Sequence, residues 1–133
     1  MKPSTFNYDF LVSFADTDCG DVVYYSRYLD HGERARTKLF YDLGLSQNFL
    51  KNEYSVGFMV KTCHCEYRAS GKFEDTITIK TQIIPKKTRL EFEHKFFNQD
   101  GLLLLENNVT MVCVDTNSFR PIKIPDIITE KII

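Results

Sequence analysis

The chain has 133 residues, 43% of them hydrophobic, 26% charged and 14% aromatic, enough for one core and therefore one domain over 1–133. Lys plus Arg number 17 against 18 Asp plus Glu, a formal net charge of −1, which excludes binding to nucleic acid or a membrane surface by overall charge; any cationic site must be local. No apolar run approaches the ~20 residues that span a bilayer, and the N-terminal MKPSTFNYDF has no apolar signal-peptide core, so the expected location is cytoplasmic.

The chain opens on a strand: Tyr8, Phe10, Val12 and Phe14 alternate with Asp9, Leu11 and Ser13, the period-two signature of a half-buried strand. Small polar residues, Asp16-Thr17-Asp18-Cys19-Gly20-Asp21, end it in a loop. From about Ser26 the period lengthens. Tyr28, Leu29, Gly32, Ala35, Leu39, Phe40 and Leu43 form one stripe of a helix with Gly44 as its C-cap, and the small Gly32 and Ala35 permit a close approach to a sheet. Glu33, Arg34, Arg36, Lys38 and Asp42 read as its solvated or partner-facing side, and His31 as a surface or structural residue. A short second helix over 47–52 follows.

The rest alternates as strands: 56–67; 76–84, with Ile77, Ile79, Thr81 and Ile83 on one face; 89–97, with Leu90, Phe92, His94 and Phe96; and 103–114. Pro85-Lys86-Lys87 and Asn98-Gln99-Asp100-Gly101 supply breaks, and the four strands are expected to form an antiparallel meander. The fold class is α+β, with one antiparallel sheet wrapped around a central helix.

Cys19, Cys63, Cys65 and Cys113 are too scattered for a disulfide scaffold and read as free, buried thiols. Cys63-His64-Cys65 has metal-ligand types, but alternation sends His64 to the face opposite the thiols and no second ligand pair completes a tetrahedron; no metal is expected. A calcium loop opening at Asp16 fails, with Asp21 at its sixth position and Arg27 at its twelfth. No G-x-S-x-G elbow supports a serine triad.

The densest chemistry is the run of three carboxylates, Asp16, Asp18 and Asp21, before a helix. A helix N-terminus stabilises an oxyanion, and a carboxylate beside it can act as base or nucleophile; such residues are also ordinary turn and cap formers.

Phe14-Ala15-Asp16-Thr17-Asp18-Cys19-Gly20-Asp21-Val22-Val23-Tyr24-Tyr25-Ser26-Arg27-Tyr28-Leu29, continuing into Gly32-Glu33-Arg34-Ala35-Arg36-Thr37, resembles the signature of the hotdog-fold acyl-CoA thioesterases of the 4-hydroxybenzoyl-CoA thioesterase and YbgC-like family. The likeness extends through residues 60–68, Phe73-Glu74-Asp75-Thr76-Ile77 and 105–121. It implies two subunits joined edge to edge as a homodimer, or a homotetramer, with sites at the interface and no cofactor. Asp18 matches the family's catalytic carboxylate, nucleophile or general base, and Tyr25 the helix-start position whose N–H polarises the thioester carbonyl. Asp21 stands where the family often has Gly, and Tyr25 where YbgC-like members often have His. The substrate is then an acyl-CoA, or an acyl carrier protein thioester. Lys86, Lys87 and Arg89 are the first candidates for phosphate contacts, Arg68 and Lys72 the second, and Tyr24, Tyr28 and Phe58 for the acyl pocket. Two other functions share the fold: a non-catalytic acyl-CoA or carrier-protein binding module, which needs no positioned carboxylate, and a hydratase or dehydratase, which calls for a histidine the helix-start motif lacks.

Overall fold

A computed structural model describes residues 4–132. Strand β1 is Thr5–Leu11, with Phe10 buried and Phe6 and Tyr8 half-buried on the inner face. It stops earlier than the alternation predicts: Phe14, 68% exposed, begins a 3-10 turn over Phe14–Asp16. The Ser13 N–H and hydroxyl both donate to Asp16 Oδ2, at 3.0 and 3.1 Å, and this local bonding outcompetes the strand ladder. The polar loop is a small ribbon, β2 (Thr17–Asp18) against β3 (Val22–Val23), turned by Cys19 and Gly20 at positive φ.

Helix α1 is Arg27–Asp42, and Tyr28, Gly32, Ala35, Leu39 and Phe40 are buried as the stripe predicts. A methyl group on Gly32 would touch Asn107 and Phe96 of the sheet within 4 Å, which measures the approach. The helix closes at Gly44, φ 75°, where the Leu45 N–H donates to Phe40 O five residues back. Arg36 corrects the sequence reading, and His31 takes the structural of its two expected roles: both are buried, on either side of the apolar stripe. A sheet that wraps a helix covers a wider arc than the apolar residues mark. Helix α2, Gln47–Tyr54, is capped by the Ser46 hydroxyl accepting the Phe49 N–H and runs two residues past the expected end.

The sheet comprises β1, β4 (Val56–Tyr67), β5 (Thr76–Pro85), β6 (Arg89–Phe97) and β7 (Leu103–Asp115), all antiparallel, in the order β1-β5-β6-β7-β4. Only β5-β6-β7 is a meander. Tight turns fix β6 beside both β5 and β7, so β4 takes the free side of β7 and β1 that of β5. Residues 68–75 carry the chain across the sheet's end, tied down by Arg68 and Ala69 N–H to Leu104 O and by Val12 N–H to Asp75 O.

Ile77, Ile79, Thr81, Ile83, Leu90, Phe92, His94 and Phe96 are all buried against α1, while the outer face carries Lys80, Glu93 and Lys95 in solvent. Beyond the last strand, where the sequence reading names no element, lies helix α3, Asp126–Ile132; Ile124, Ile128 and Ile132 bury with Leu45 and Leu50. The thiols divide: Cys113 is buried and Cys65 half-buried, but Cys19 and Cys63 are exposed, because the loop turn and edge strand β4 leave one side open. Among the described residues no helix is long and apolar enough to cross a membrane.

Candidate active site

Asp16 and Asp18 have different environments. Asp16 is buried: besides Ser13, its Oδ1 accepts from His31 Nε2 at 2.9 Å, the His31 ring stacks on Phe10 at 3.6 Å, and its main-chain oxygen accepts the Tyr24 N–H. Burial pushes the Asp16 carboxyl up, but the Ser13 and His31 bonds outweigh it and leave it below its ordinary value. It is the anchor that fixes the ribbon to β1 and α1. Asp18, one pleat on, is exposed at the ribbon's tip, with the Cys19 thiol 3.6 Å from Oδ1. Asp21 is also exposed, its carbonyl accepting the Phe73 N–H.

Tyr25 lies in the turn that leads into α1, whose N-cap, Ser26, makes no side-chain cap. Among the described residues the Tyr25 N–H has no acceptor, while the Tyr25 carbonyl accepts from the Tyr67 hydroxyl at 2.9 Å. The Tyr24 and Tyr25 rings lie 4.8 Å apart, and the neighbouring Tyr25 hydroxyl, with Asp18 charge contributing, holds the Tyr24 phenol above its ordinary value. Asp18 stands on the ribbon that leads into the turn whose Tyr25 N–H has no acceptor among the described residues. An exposed carboxylate on a pinned ribbon beside such a helix start can attack, or activate water against, a carbonyl whose oxygen takes the N–H.

Beside this turn is a cleft of about 310 Å³ lined by Val23, Tyr25, Tyr28, Tyr67, Arg68, Ala69 and Ser70. Tyr28 lines it but is 2% exposed, with its hydroxyl accepting the Gly71 N–H at 2.8 Å, so it buttresses the floor; Tyr24 is exposed. Phe58 is elsewhere, packed on Phe40 in a second cavity, of about 250 Å³, between α1 and β4. Sequence reasoning missed Tyr67, a strand-end tyrosine whose long-range bond no local pattern reveals.

The cations also separate. Leu11, Thr76, Phe97 and Tyr67 lie at the sheet end that holds Asp18 and Tyr25; the Pro85–Arg89 turn lies at the other. Ten residues of β5 at ~3.3 Å each put Lys86, Lys87 and Arg89 roughly 30 Å from the ribbon within one subunit. Arg68 does line the cleft, paired with Glu106 at 2.7 Å and Glu66 at 3.0 Å, and Lys72 bridges to Val22. Cys63 and Cys65 share a face, both accepting from Asn107 Nδ2, and no group of three or more metal-ligating side chains converges among the described residues.

The family model described as the thioesterase-like superfamily matches residues 12–132. The chain is 32% identical to the acyl-CoA thioesterase YbgC of Haemophilus influenzae, covering 94% of this chain and 92% of that protein. It is 35% identical to the acyl-CoA thioester hydrolase YbgC of Escherichia coli, over 94% and 93%. Among solved structures, a 1,4-dihydroxy-2-naphthoyl-CoA thioesterase from Synechocystis superimposes with a TM-score of 0.89 at 19% identity, over 97% of this chain and 96% of that one. A Staphylococcus aureus protein solved in complex with CoA gives 0.89 at 20% identity, over 99% and 84%.

Proposed function

The chain belongs to the thioesterase-like superfamily, with the hotdog fold and YbgC-like relatives, and from that premise we propose that it hydrolyses an acyl-CoA thioester to the carboxylic acid and coenzyme A. What supports this is an exposed carboxylate, Asp18, on a ribbon tied down through Asp16 and His31, followed at the start of α1 by the Tyr25 N–H, which has no acceptor among the described residues. The thioester oxygen accepts the Tyr25 N–H, and negative charge developing on it is stabilised there. Asp18 either removes a proton from water, whose oxygen adds to the carbonyl carbon, or adds itself to give an anhydride that water then opens. In both routes the C–S bond breaks, the thiolate leaves and is protonated from solvent.

The working unit in this reading is a homodimer or homotetramer. β4 is a twelve-residue edge strand with Met59, Val60 and Tyr67 about half exposed, an association surface. Pairing two β4 edges antiparallel about a twofold axis sets the Tyr67 end of one against the Val56 end of the other. The Asp18–Tyr25 turn of one subunit then adjoins the Phe58 cavity of its partner, which unites site residues that one chain keeps apart. Coenzyme A is the carrier that relatives' names support over a carrier protein. Phosphate contacts fall first to Arg68 and Lys72, beside the cleft, with Lys86, Lys87 and Arg89 reaching a nucleotide only from another subunit.

Free-thiol release from a panel of acyl-CoA esters is the test. Release proportional to protein concentration for at least one ester is expected, from a species heavier in light scattering than the 15.5 kDa chain. Release no faster than the buffer blank for every ester, by folded protein, overturns the reading.

A further inference from the structure

Resting on that reading, we infer that the cavity between α1 and β4 takes an acyl group ending in a carboxylate, received by Arg36. Arg36 is 9% exposed, at the middle of α1, and lines the cavity with the apolar side chains of Phe40, Leu50, Phe58 and Met111. Its Nη1 donates to His94 Nε2 at 3.0 Å, and its guanidinium lies 5.8 Å from the centre of the Phe92 ring. A guanidinium only donates, so His94 Nε2 is the acceptor and Nδ1 carries the hydrogen, bonded to Thr81 Oγ1 at 2.7 Å. The buried Thr81–His94 pair therefore orients a cation and does nothing to neutralise it.

No carboxylate lies within ion-pair distance of Arg36 among the described residues. Glu33, one turn back at the cavity's rim, is exposed and screened by solvent. A nearby buried acceptor without a partner, Asn107 Oδ1, is neutral. A charge this buried calls for a counter-ion, and apart from the bond to His94 the fork of donors is uncommitted. An apolar cavity with one cationic wall fits a short methylene chain with an anionic end. At about 250 Å³ the cavity lies below the range of drug-sized ligand pockets, which suits a short acyl group such as glutaryl.

The comparison is glutaryl-CoA against 5-methylhexanoyl-CoA, in which an isopropyl group of similar shape replaces the carboxylate. The parent protein is expected to favour the glutaryl ester in kcat/KM by about tenfold or more. Arg36→Met should reverse the order while still hydrolysing the isopropyl ester, and Arg36→Lys should restore part of the preference. Because Arg36→Met could fail to fold, free glutarate is also tested on the parent, where it should raise Tm more than 5-methylhexanoate does. Equal or inverted kcat/KM in the parent, or a preference that survives Arg36→Met, overturns the inference while leaving thioester hydrolysis intact. If neither ester is cleaved, hydrolysis itself is in question, and the glutarate shift still decides the pocket: its presence supports the anionic site and its absence removes it.

Discussion

Replacing Asp18 by Asn is expected to lower kcat by on the order of 10²-fold or more, with little change in KM, because shape is kept and only the charge that attacks or activates water is lost. Asp18 is exposed, with the Cys19 thiol as its side-chain contact, so the fold should tolerate the change. Asp16→Asn is the informative counterpart. It weakens charge-assisted bonds from Ser13 and His31 and should cost ~1–3 kcal/mol of stability, lowering activity through disorder of the ribbon. Since the Asp16 carboxyl sits below its ordinary value in the folded protein, its contribution is complete above about pH 3.8 and disappears as pH falls through the folded value. Steady-state kinetics with thermal melts separate the two variants. Parent-like turnover by Asp18→Asn would take the catalytic role away from Asp18 and leave hydrolysis to another group.

The second large effect is acid sensitivity from His94. Burial, and then the charge of Arg36, press its imidazole from an ordinary 6.5 down to about 3. Above 6.5 the ring is neutral folded and unfolded, and the stability from this group is fully present. Below it the unfolded chain takes up a proton that the folded one refuses, so stability falls by about 1.4 kcal/mol per pH unit until the folded value is approached. Near pH 4.5 that amounts to about 2–3 kcal/mol, a sizeable part of a total of ~5–15. Urea midpoints at fixed protein concentration should show this loss in the parent. They should show less in His94→Gln, whose amide can still accept from Arg36 and donate to Thr81 without titrating. Superimposable pH slopes for the two proteins would mean that His94 is not the group responsible.

Alternation made Thr81 and His94 legible as buried residues, since they keep step with Ile77, Ile79, Ile83, Phe92 and Phe96. It could not show what they face. Arg36 reads as surface in the sequence, and His31 as either surface or structural, because a helical wheel marks only apolar positions, whereas the curved sheet buries the flanks of the stripe as well. The neighbours of β4 escaped for another reason: period two defines the faces of a strand and is silent on its edges. Ile124, Ile128 and Ile132, spaced by four after a run of irregular chain, were a signal for α3 that the strand-like stretch before them masked. The assignment of Asp18 and Tyr25 rests on a motif. The far placement of Lys86, Lys87 and Arg89 follows from strand direction, which proximity in sequence does not convey.

Whether the site joins two subunits is tested most directly with a heterodimer of Asp18→Asn and Thr37→Trp chains, co-expressed and purified through two different tags. Thr37 is an exposed residue of α1 at the mouth of the Phe58 cavity, so an indole there should close the cavity without disturbing the core. Each variant alone should be nearly inactive. The heterodimer keeps one site in which an intact Asp18 meets an intact cavity from the other chain, so it should recover about half the parent rate per dimer, as twofold symmetry requires. A heterodimer as inactive as its two parents would place the carboxylate and the acyl pocket in the same subunit and contradict the account.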